Sequence, residues 1–287
     1  MFDKIAYTWS LMGASWEVLK KDKEILVFPL LSGICCLLVV ASFLMPMYAT
    51  DSWRPPDRET ATPQQQVVYY AVIFAFYFCN YFVITFFNTA IVACAVGRMA
   101  GSDPTVMGGL REAMKRIHLI AGWALLSATV GMILRMIEER SSKVGRFVAG
   151  LMGTAWTITT FLVVPILVVE NKGPFAALGQ STKLLRKTWG EQLVGNFSFG
   201  LVFTLLSLPA IGLIVLGGYA WASAHNGPAA AMCIAIAVVY MIVLSLIQSA
   251  LQAIFQAAVY LHTQSGVVDL RSQGFPVRLL DGAMSTR

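Results

Sequence analysis

Six long runs of apolar residues, none with Asp, Glu, Lys or Arg near its centre, constrain this chain more than any other feature. A helix needs about 20 apolar residues to cross a bilayer, and the runs are near or above that length. Hydrocarbon holds no water for backbone groups, so each run must satisfy its own hydrogen bonds as a helix. The sequence therefore predicts an all-α, polytopic membrane protein with six transmembrane helices, at residues 25–49, 67–97, 119–134, 147–169, 193–220 and 229–262.

The third run is short, whereas the second and sixth are long. Residues 119–134 reach across the membrane only if His118 and Arg135 extend from the ends of the run to the headgroup layer. Residues 67–97 and 229–262 would form helices about 46 and 51 Å long at 1.5 Å per residue. The hydrocarbon is ~30 Å thick and tilt absorbs only part of the excess, so we expect both helices to extend past the membrane on the cytoplasmic side.

The composition excludes a soluble helical protein. Hydrophobic residues make up 57% of the chain and charged residues 13%, whereas a soluble domain carries about 25% charged residues. The net charge of +6 indicates orientation in a membrane and not nucleic-acid binding, because no soluble domain is predicted that would hold a basic patch.

The distribution of basic residues predicts the topology. With a cytoplasmic N-terminus and six spans, all but six of the 21 Lys and Arg residues lie on the inner side, as the positive-inside rule requires. We therefore expect a multi-pass plasma membrane protein with both termini cytoplasmic. The six outer basic residues are Arg54, Arg58, Arg135, Arg140, Lys143 and Arg146.

Three segments outside the runs, residues 3–22, 104–117 and 174–190, have apolar residues at helical spacing and basic residues beside them. Each precedes two runs, so all three share one side of the membrane, and basic amphipathic helices typically lie in the headgroup layer. We expect three hairpins, each preceded by a cytoplasmic interfacial helix; packing on a protein partner would give the same spacing. The apolar stripes are Ile5, Trp9, Met12, Trp16 and Leu19; Val106, Leu110, Ala113 and Ile117; and Phe175, Leu178, Thr182, Leu185 and Trp189.

The recurrence of this unit indicates an internal repeat within a single integral membrane domain, residues 1–287. The repeat units cover about 1–98, 99–171 and 172–263, and residues 264–287 form a cytoplasmic tail. In the second unit, Asp103 is expected to cap the amphipathic helix, with Pro104 at its first position.

A motif joins the fourth run to the third amphipathic segment. It reads Val169-Glu170-x-x-Gly173-Pro174-x-x-Ala177-Leu178-x-x-Ser181-x-x-Leu184-x-Arg186-x-x-Trp189. This motif resembles a signature of bacterial six-span membrane proteins, which include several uncharacterised families and the membrane domain attached to some glycerophosphodiester phosphodiesterases. The N-terminal sequence FDKIAYTWSLMGASWEVLKKDKEILVFP is similar to the start of one uncharacterised bacterial integral membrane family. The resemblance implies a six-span protein of the bacterial inner membrane and no activity, because the phosphodiesterase chemistry belongs to a separate soluble domain. The positions that carry it are Glu170, Gly173, Pro174, Ser181, Arg186 and Trp189.

The sequence offers little that indicates catalysis. No run carries a charged residue near its centre, which argues against an ion-coupled pump. HExxH, GxSxG and Walker motifs are absent from the sequence. The cysteines lack metal-binding spacing and are expected to be buried thiols; they are Cys35, Cys36, Cys79, Cys94 and Cys233. We expect a protein that is not an enzyme and that carries no metal or cofactor.

Polar side chains form rows on the second and sixth runs. Such rows more often join helices by hydrogen bonds than line a pore, but they also suit the wall of a cavity or a path for lipid headgroups. On the second run the row contains Tyr77, Tyr81, Thr85, Asn88 and Thr89. On the sixth run a candidate site falls within about a 120° sector and contains Ser245, Gln248, Ser249, Gln252 and Gln256, followed by Tyr260.

Two functional hypotheses follow. The first is a non-enzymatic scaffold or accessory subunit of a membrane complex, whose partners are the lipid bilayer and another membrane protein. The alternative is a channel or a transporter of lipids or small solutes. A partner that co-purifies in stoichiometric amounts would favour the first hypothesis, and solute flux that depends on Gln252 would favour the second.

Overall fold

The computed structural model describes residues 13, 15–49, 62–140, 143–222 and 227–265, and all regular structure in these residues is helical. A helical segment over residues 15–21 and a 3₁₀ turn, Lys23–Leu26, lead into the α-helices. These are α1 (Val27–Ala49), α2 (Pro63–Met99), α3 (Val106–Lys115), α4 (Ile117–Arg140), α5 (Lys143–Thr159), α6 (Val163–Glu170), α7 (Pro174–Ala222) and α8 (Gly227–Ser265).

Six stretches of the described residues are long and apolar enough to cross a membrane. This confirms the all-α fold with six candidate spans, and a multi-pass membrane protein. The stretches are Lys23–Tyr48, Pro63–Met99, Ile117–Glu138, Val144–Glu170, Val202–Ala222 and Gly227–Leu261. Helices α2 and α8 have 37 and 39 residues, which at 1.5 Å per residue is about 56 and 59 Å and well beyond the hydrocarbon. The side on which they extend stays a prediction.

Local sequence explains where the helices begin. Thr62 and Gln65 form a capping box at the start of α2, with Pro63 as the first helical residue. Helix α3 is capped by Thr105, whose hydroxyl accepts a hydrogen bond from the Gly108 N–H at 3.1 Å. The expected cap at Asp103 and first helical position at Pro104 are wrong, because the helix begins at Val106 and the Asp103 carboxylate instead pairs with Arg98 at the end of α2.

The fourth apolar run is not one helix. It contains α5 and α6, which are separated by a turn at residues 160–162. Pro165 explains the break: proline has no N–H to donate to the carbonyl of Phe161, four residues earlier, and its ring would clash with that carbonyl. As the third residue of α6, Pro165 occupies the first turn of a helix, where backbone N–H groups have no intrahelical partner.

The third amphipathic segment is not a separate helix. Helix α7 runs without a break for 49 residues, from Pro174 through the whole fifth run. Its length is about 73 Å at 1.5 Å per residue, more than twice the hydrocarbon thickness. The charged residues between 183 and 191 do not end the helix, because charge alone does not stop a helix and neither Pro nor a Gly–Pro pair occurs there. Residues 174–190 therefore continue into the fifth span.

The buried core lies at one end of the bundle. We call this the packed end; it contains residues 15–28, 85–124, 161–185 and 250–261. Helix α2 lies at its centre and contacts α1, α3, α4, α6 and α8. The side chains of Ile91, Ile120, Leu167 and Ile254 are fully buried there. Small residues allow neighbouring segments to pack closely there. A Cβ on Gly109 of α3 would lie only 2.8 Å from the Phe28 ring.

Each amphipathic segment contacts this core through only some of its apolar side chains. Leu19 and Leu185 are buried, and so is Ala113. On the other flank Met107 and Phe175 are 67% and 76% exposed. The segments thus contact protein on one side and present apolar side chains outward on the other. The part of the first segment at residues 1–12, with Trp9, lies outside the described residues.

Candidate functional site

The polar row on α8 lines a crevice between α8 and α2. Its volume is about 240 Å³, and the predicted residues Ser245, Gln248, Ser249, Gln252 and Gln256 all contribute to its wall. The opposite wall is Asn88 of α2. Sequence reasoning noted Asn88 as polar, but its position facing the glutamines depends on the packing of the two helices.

Helical spacing and small residues build the crevice. Gln248, Gln252 and Gln256 recur every four residues, so they stand one above another along about two turns of α8. Beside them Ala250 and Ala253 are buried, and alanines allow two helix backbones to come close in a membrane. The crevice is partly open: Ser245 is exposed and the three glutamines are half-buried.

The amides of the crevice make no hydrogen bond to any residue that the structure describes. The Ser245 hydroxyl donates to the carbonyl of Ile242 at 2.8 Å, within its own helix. Across the described part of the chain, no hydrogen bond engages the side-chain amides of Asn88, Gln248, Gln252 or Gln256. Each amide has two donor hydrogens and an acceptor oxygen, and none of these groups titrates. The arrangement can therefore bind a polar group but offers no acid, base or nucleophile pair.

Tyr260 belongs to a different cluster. It is fully buried, and its hydroxyl donates to Glu170 at the end of α6 at 2.5 Å. The Glu170 carboxylate also pairs with Lys172 at 2.6 Å and accepts a hydrogen bond from Gln180. Asn171 adopts a left-handed conformation, φ 51°, which ends α6 and turns the chain toward α7. Glu170 thus joins α6, α7 and α8, and sequence reasoning missed the role of Gln180.

Ser181 explains another position of the motif. Its side chain is fully buried, and its hydroxyl donates to the carbonyl of Thr159 at 2.6 Å. The same oxygen accepts a hydrogen bond from the Leu162 N–H at 3.3 Å. Both backbone groups lie at the break between α5 and α6, where helix geometry leaves them without intrahelical partners. Ser181 therefore holds the broken fourth span against α7.

The remaining motif positions have simpler surroundings. Pro174 is the first residue of α7, as expected, and packs on Gly122, where a Cβ would lie 3.0 Å from the proline ring. Gly173 has a half-buried backbone and Arg186 is exposed. The side chain of Trp189 lies outside the described residues. The motif is thus mainly a set of contacts that fix the turn between α6 and α7.

A second charged cluster links the N-terminal segment to α2. The Asp22 carboxylate is 8% exposed and receives two hydrogen bonds from the Arg98 guanidinium, which also contacts Asp103. A bidentate arginine–carboxylate pair of this kind fixes orientation as well as contributing energy. Within the described residues no group of three His, Cys, Asp or Glu side chains is placed to hold a metal ion.

Comparison with known families matches one region of the chain that contains the whole site. The family model for DUF6159, a family of unknown function, matches residues 67–270, more than two thirds of the chain. The chain belongs to the DUF6159 family. The matched range includes Asn88, the motif around Glu170 and the polar row of α8. No curated protein matches the sequence. These comparisons give no link to glycerophosphodiester phosphodiesterases, so that resemblance stays a prediction.

Proposed function

We propose that this DUF6159 protein is a non-enzymatic scaffold or accessory subunit of a membrane complex, and that the crevice is where a membrane segment of a partner docks. The observation that supports the proposal is the row of amides without hydrogen bonds within the described chain. Polar side chains in membranes commonly bond to the side chains of a neighbouring helix. A partner that supplies such bonds would be held in one register along α8.

The dimensions of the crevice favour a helix over an enclosed small molecule. Pockets that enclose small ligands measure roughly 300–1,000 Å³, and this crevice has about 240 Å³ and is partly open. From Ser245 to Gln256 it is about 16 Å long at 1.5 Å per residue, which is three turns of a helix. Interhelical hydrogen bonds contribute about 0.6 kcal/mol each on average, so four amides would supply about 2 kcal/mol.

A second candidate function is lipid or small-solute handling. The position of the crevice across the membrane favours it. Gln256 lies about 44 Å along α8 from Gly227 at 1.5 Å per residue, which exceeds the ~30 Å hydrocarbon. The crevice therefore extends from the membrane interior toward the headgroup layer. A lipid headgroup or a polar solute can reach its glutamines at that level.

The proposal includes the location of the protein in a bacterial inner membrane with both termini cytoplasmic. The charge distribution in the sequence and the grouping of the three amphipathic segments support this topology. Reporter fusions after residue 273 and within residues 51–66 test it, and an extracytoplasmic C-terminal reporter would overturn it.

Purification of the tagged full chain from native membranes tests the docking proposal. The triple variant Gln248→Leu, Gln252→Leu, Gln256→Leu removes the amides and keeps similar volume. We expect it to lose a partner that co-purifies with the wild type in stoichiometric amounts, because 2 kcal/mol corresponds to about 30-fold in affinity. Gln64→Leu is the matched control, since Gln64 is exposed in the first turn of α2.

The outcomes separate the two candidates. Retention of the partner by the triple variant, with an unchanged melting temperature, would contradict the docking proposal. Flux of a solute or lipid in proteoliposomes that contain the purified chain alone, lost in Gln252→Leu and kept in Gln64→Leu, would establish the second candidate in its place.

A further inference from the structure

A groove lies between α2 and α4, apart from the crevice. Its volume is about 410 Å³, within the roughly 300–1,000 Å³ typical of ligand pockets. Tyr77 and Tyr81 of α2 form one wall. The other wall is α4, through Gly131, Leu134, Arg135 and Glu138. Tyr77 is about 16 Å along α2 from Asn88, so the two sites do not share residues.

The length of α4 indicates where the groove lies across the membrane. The candidate span Ile117–Glu138 has 22 residues and rises about 32 Å, close to the ~30 Å hydrocarbon. Arg135 and Glu138 occupy its last turn. When Ile117 is at one boundary of the hydrocarbon, these charged side chains are at the other boundary, in the headgroup layer.

The groove contains both a cation and an anion on one helix face. Arg135 and Glu138 are three residues apart on α4, and both line the groove. Arg135 donates a hydrogen bond to the Tyr77 oxygen at 3.5 Å. A guanidinium carries five N–H donors and can bond a tyrosine and a phosphate together.

Tyr81 adds a hydroxyl on the opposite wall. Gly131 makes room for it, since a Cβ there would lie 3.3 Å from the Tyr81 oxygen. Among the described residues no hydrogen bond engages the Tyr81 hydroxyl. Its ring stacks on Tyr77, with centroids 6.4 Å apart, which fixes the direction of both side chains.

We propose that this groove binds the headgroup of a zwitterionic phospholipid that carries a phosphate and a primary ammonium. The phosphate contacts Arg135 and the Tyr81 hydroxyl, and the ammonium contacts Glu138. An anionic headgroup without the ammonium would leave Glu138 facing a like charge, so the groove discriminates between the two lipid classes. This inference goes beyond the proposed function and does not depend on a partner at the crevice.

Lipid titration of the full chain in mild detergent, followed by native mass spectrometry, tests the proposal. We expect phosphatidylethanolamine to bind about tenfold more tightly than phosphatidylglycerol, since a hydrogen bond to a charged group contributes that much. Arg135→Gln should weaken both lipids about tenfold. Glu138→Gln should weaken phosphatidylethanolamine alone and remove the preference. Arg146→Gln, an exposed arginine on α5, should change neither.

Several results would overturn the proposal. One is equal binding of phosphatidylethanolamine and phosphatidylglycerol by the wild type. Another is a preference for phosphatidylethanolamine that survives Glu138→Gln. If Arg135→Gln does not fold, Tyr81→Phe replaces it, and unchanged binding of phosphatidylethanolamine by Tyr81→Phe counts against the site. Soluble O-phosphoethanolamine distinguishes the source of the ligand: displacement of the lipid at equal concentration would show a site for a free zwitterion and not for a lipid.

Discussion

The two ends of the helix bundle differ in what covers their apolar side chains. At the packed end, protein covers them: Ile91 and Leu167 have no exposed surface. Toward the other end of the bundle, Leu38 and Met45 of α1 are 65% and 74% exposed, and Tyr219 of α7 is 67% exposed. In a membrane these outer side chains contact lipid, which is as apolar as they are.

The hydrogen-bond partners of polar groups also differ between the two ends. The buried carboxylate of Asp22, the hydroxyl of Ser181 and the hydroxyl of Tyr260 all bond to partners from other helices at the packed end. In the lipid-facing part, hydroxyls such as Ser42 donate to carbonyls of their own helix. Most of the contacts that fix the arrangement of the helices therefore lie at the packed end. Outside it, the Tyr240 hydroxyl donates to the carbonyl of Leu206, and Arg135 donates to Tyr77. The predictions below test this difference.

The largest effect is expected for a cavity at the packed end. Leu167→Ala should lower the free energy of unfolding by about 2–5 kcal/mol, because the fully buried site cannot collapse completely around the smaller side chain. Leu38→Ala is the matched control; lipid fills the space, so we expect a loss below about 1 kcal/mol. Unfolding by SDS in mixed micelles measures both values. Equal losses would show that the packed end is no more specific than the lipid-facing end.

Removal of a hydroxyl should have a smaller effect. Ser181→Ala leaves the N–H of Leu162 buried without its partner, which should cost about 1–3 kcal/mol. Ser42→Ala removes a hydroxyl whose acceptor, the carbonyl of Val39, lies within its own exposed helix, so we expect a change within about 0.5 kcal/mol. The same unfolding assay compares them. A loss for Ser181→Ala no greater than that for Ser42→Ala would refute the role given to Ser181.

The sequence was sufficient for the fold class because hydrocarbon permits few structures. An apolar run must be a helix there, so six runs predicted six candidate spans, and the spacing of Gln248, Gln252 and Gln256 predicted their common face. Pro165 was also visible in the sequence and could have indicated the break in the fourth run. The continuous α7 is not predicted, because an amphipathic segment followed by an apolar run has the same pattern whether or not the helix breaks between them.

The partners across helices could not be predicted. Gln180 reads as an exposed residue of an amphipathic helix, yet it bonds to Glu170, ten residues earlier. Asn88 faces the glutamines, and Tyr77 and Tyr81 face Arg135, only because of how α2 packs against α8 and α4. Helical period assigns a residue to a face, but the neighbour of that face depends on crossing angles and register.

The smallest effect concerns α3, at the surface of the packed end. Glu112 is 36% exposed and forms ion pairs with Lys115 and Arg116, each at 2.6 Å. The hydrogen bonds from Lys115 and then Arg116 lower the pKa of Glu112 below its ordinary value of 4.5. The folded state thus favours the carboxylate. Its contribution is fully present above pH 4.5 and is lost as the pH falls through the lowered pKa.

Glu112→Gln should therefore reduce stability by less than about 1 kcal/mol at neutral pH, since ion pairs that solvent reaches contribute little. The difference from wild type should stay constant down to about pH 5 and shrink below pH 4.5, as the wild-type carboxyl is protonated. A double-mutant cycle with Lys115→Met isolates the pair from other effects of the substitution. A difference that grows on acidification would show that Glu112 is more stable protonated in the folded protein, and that α3 lies in a less aqueous environment than its exposed carboxylate indicates.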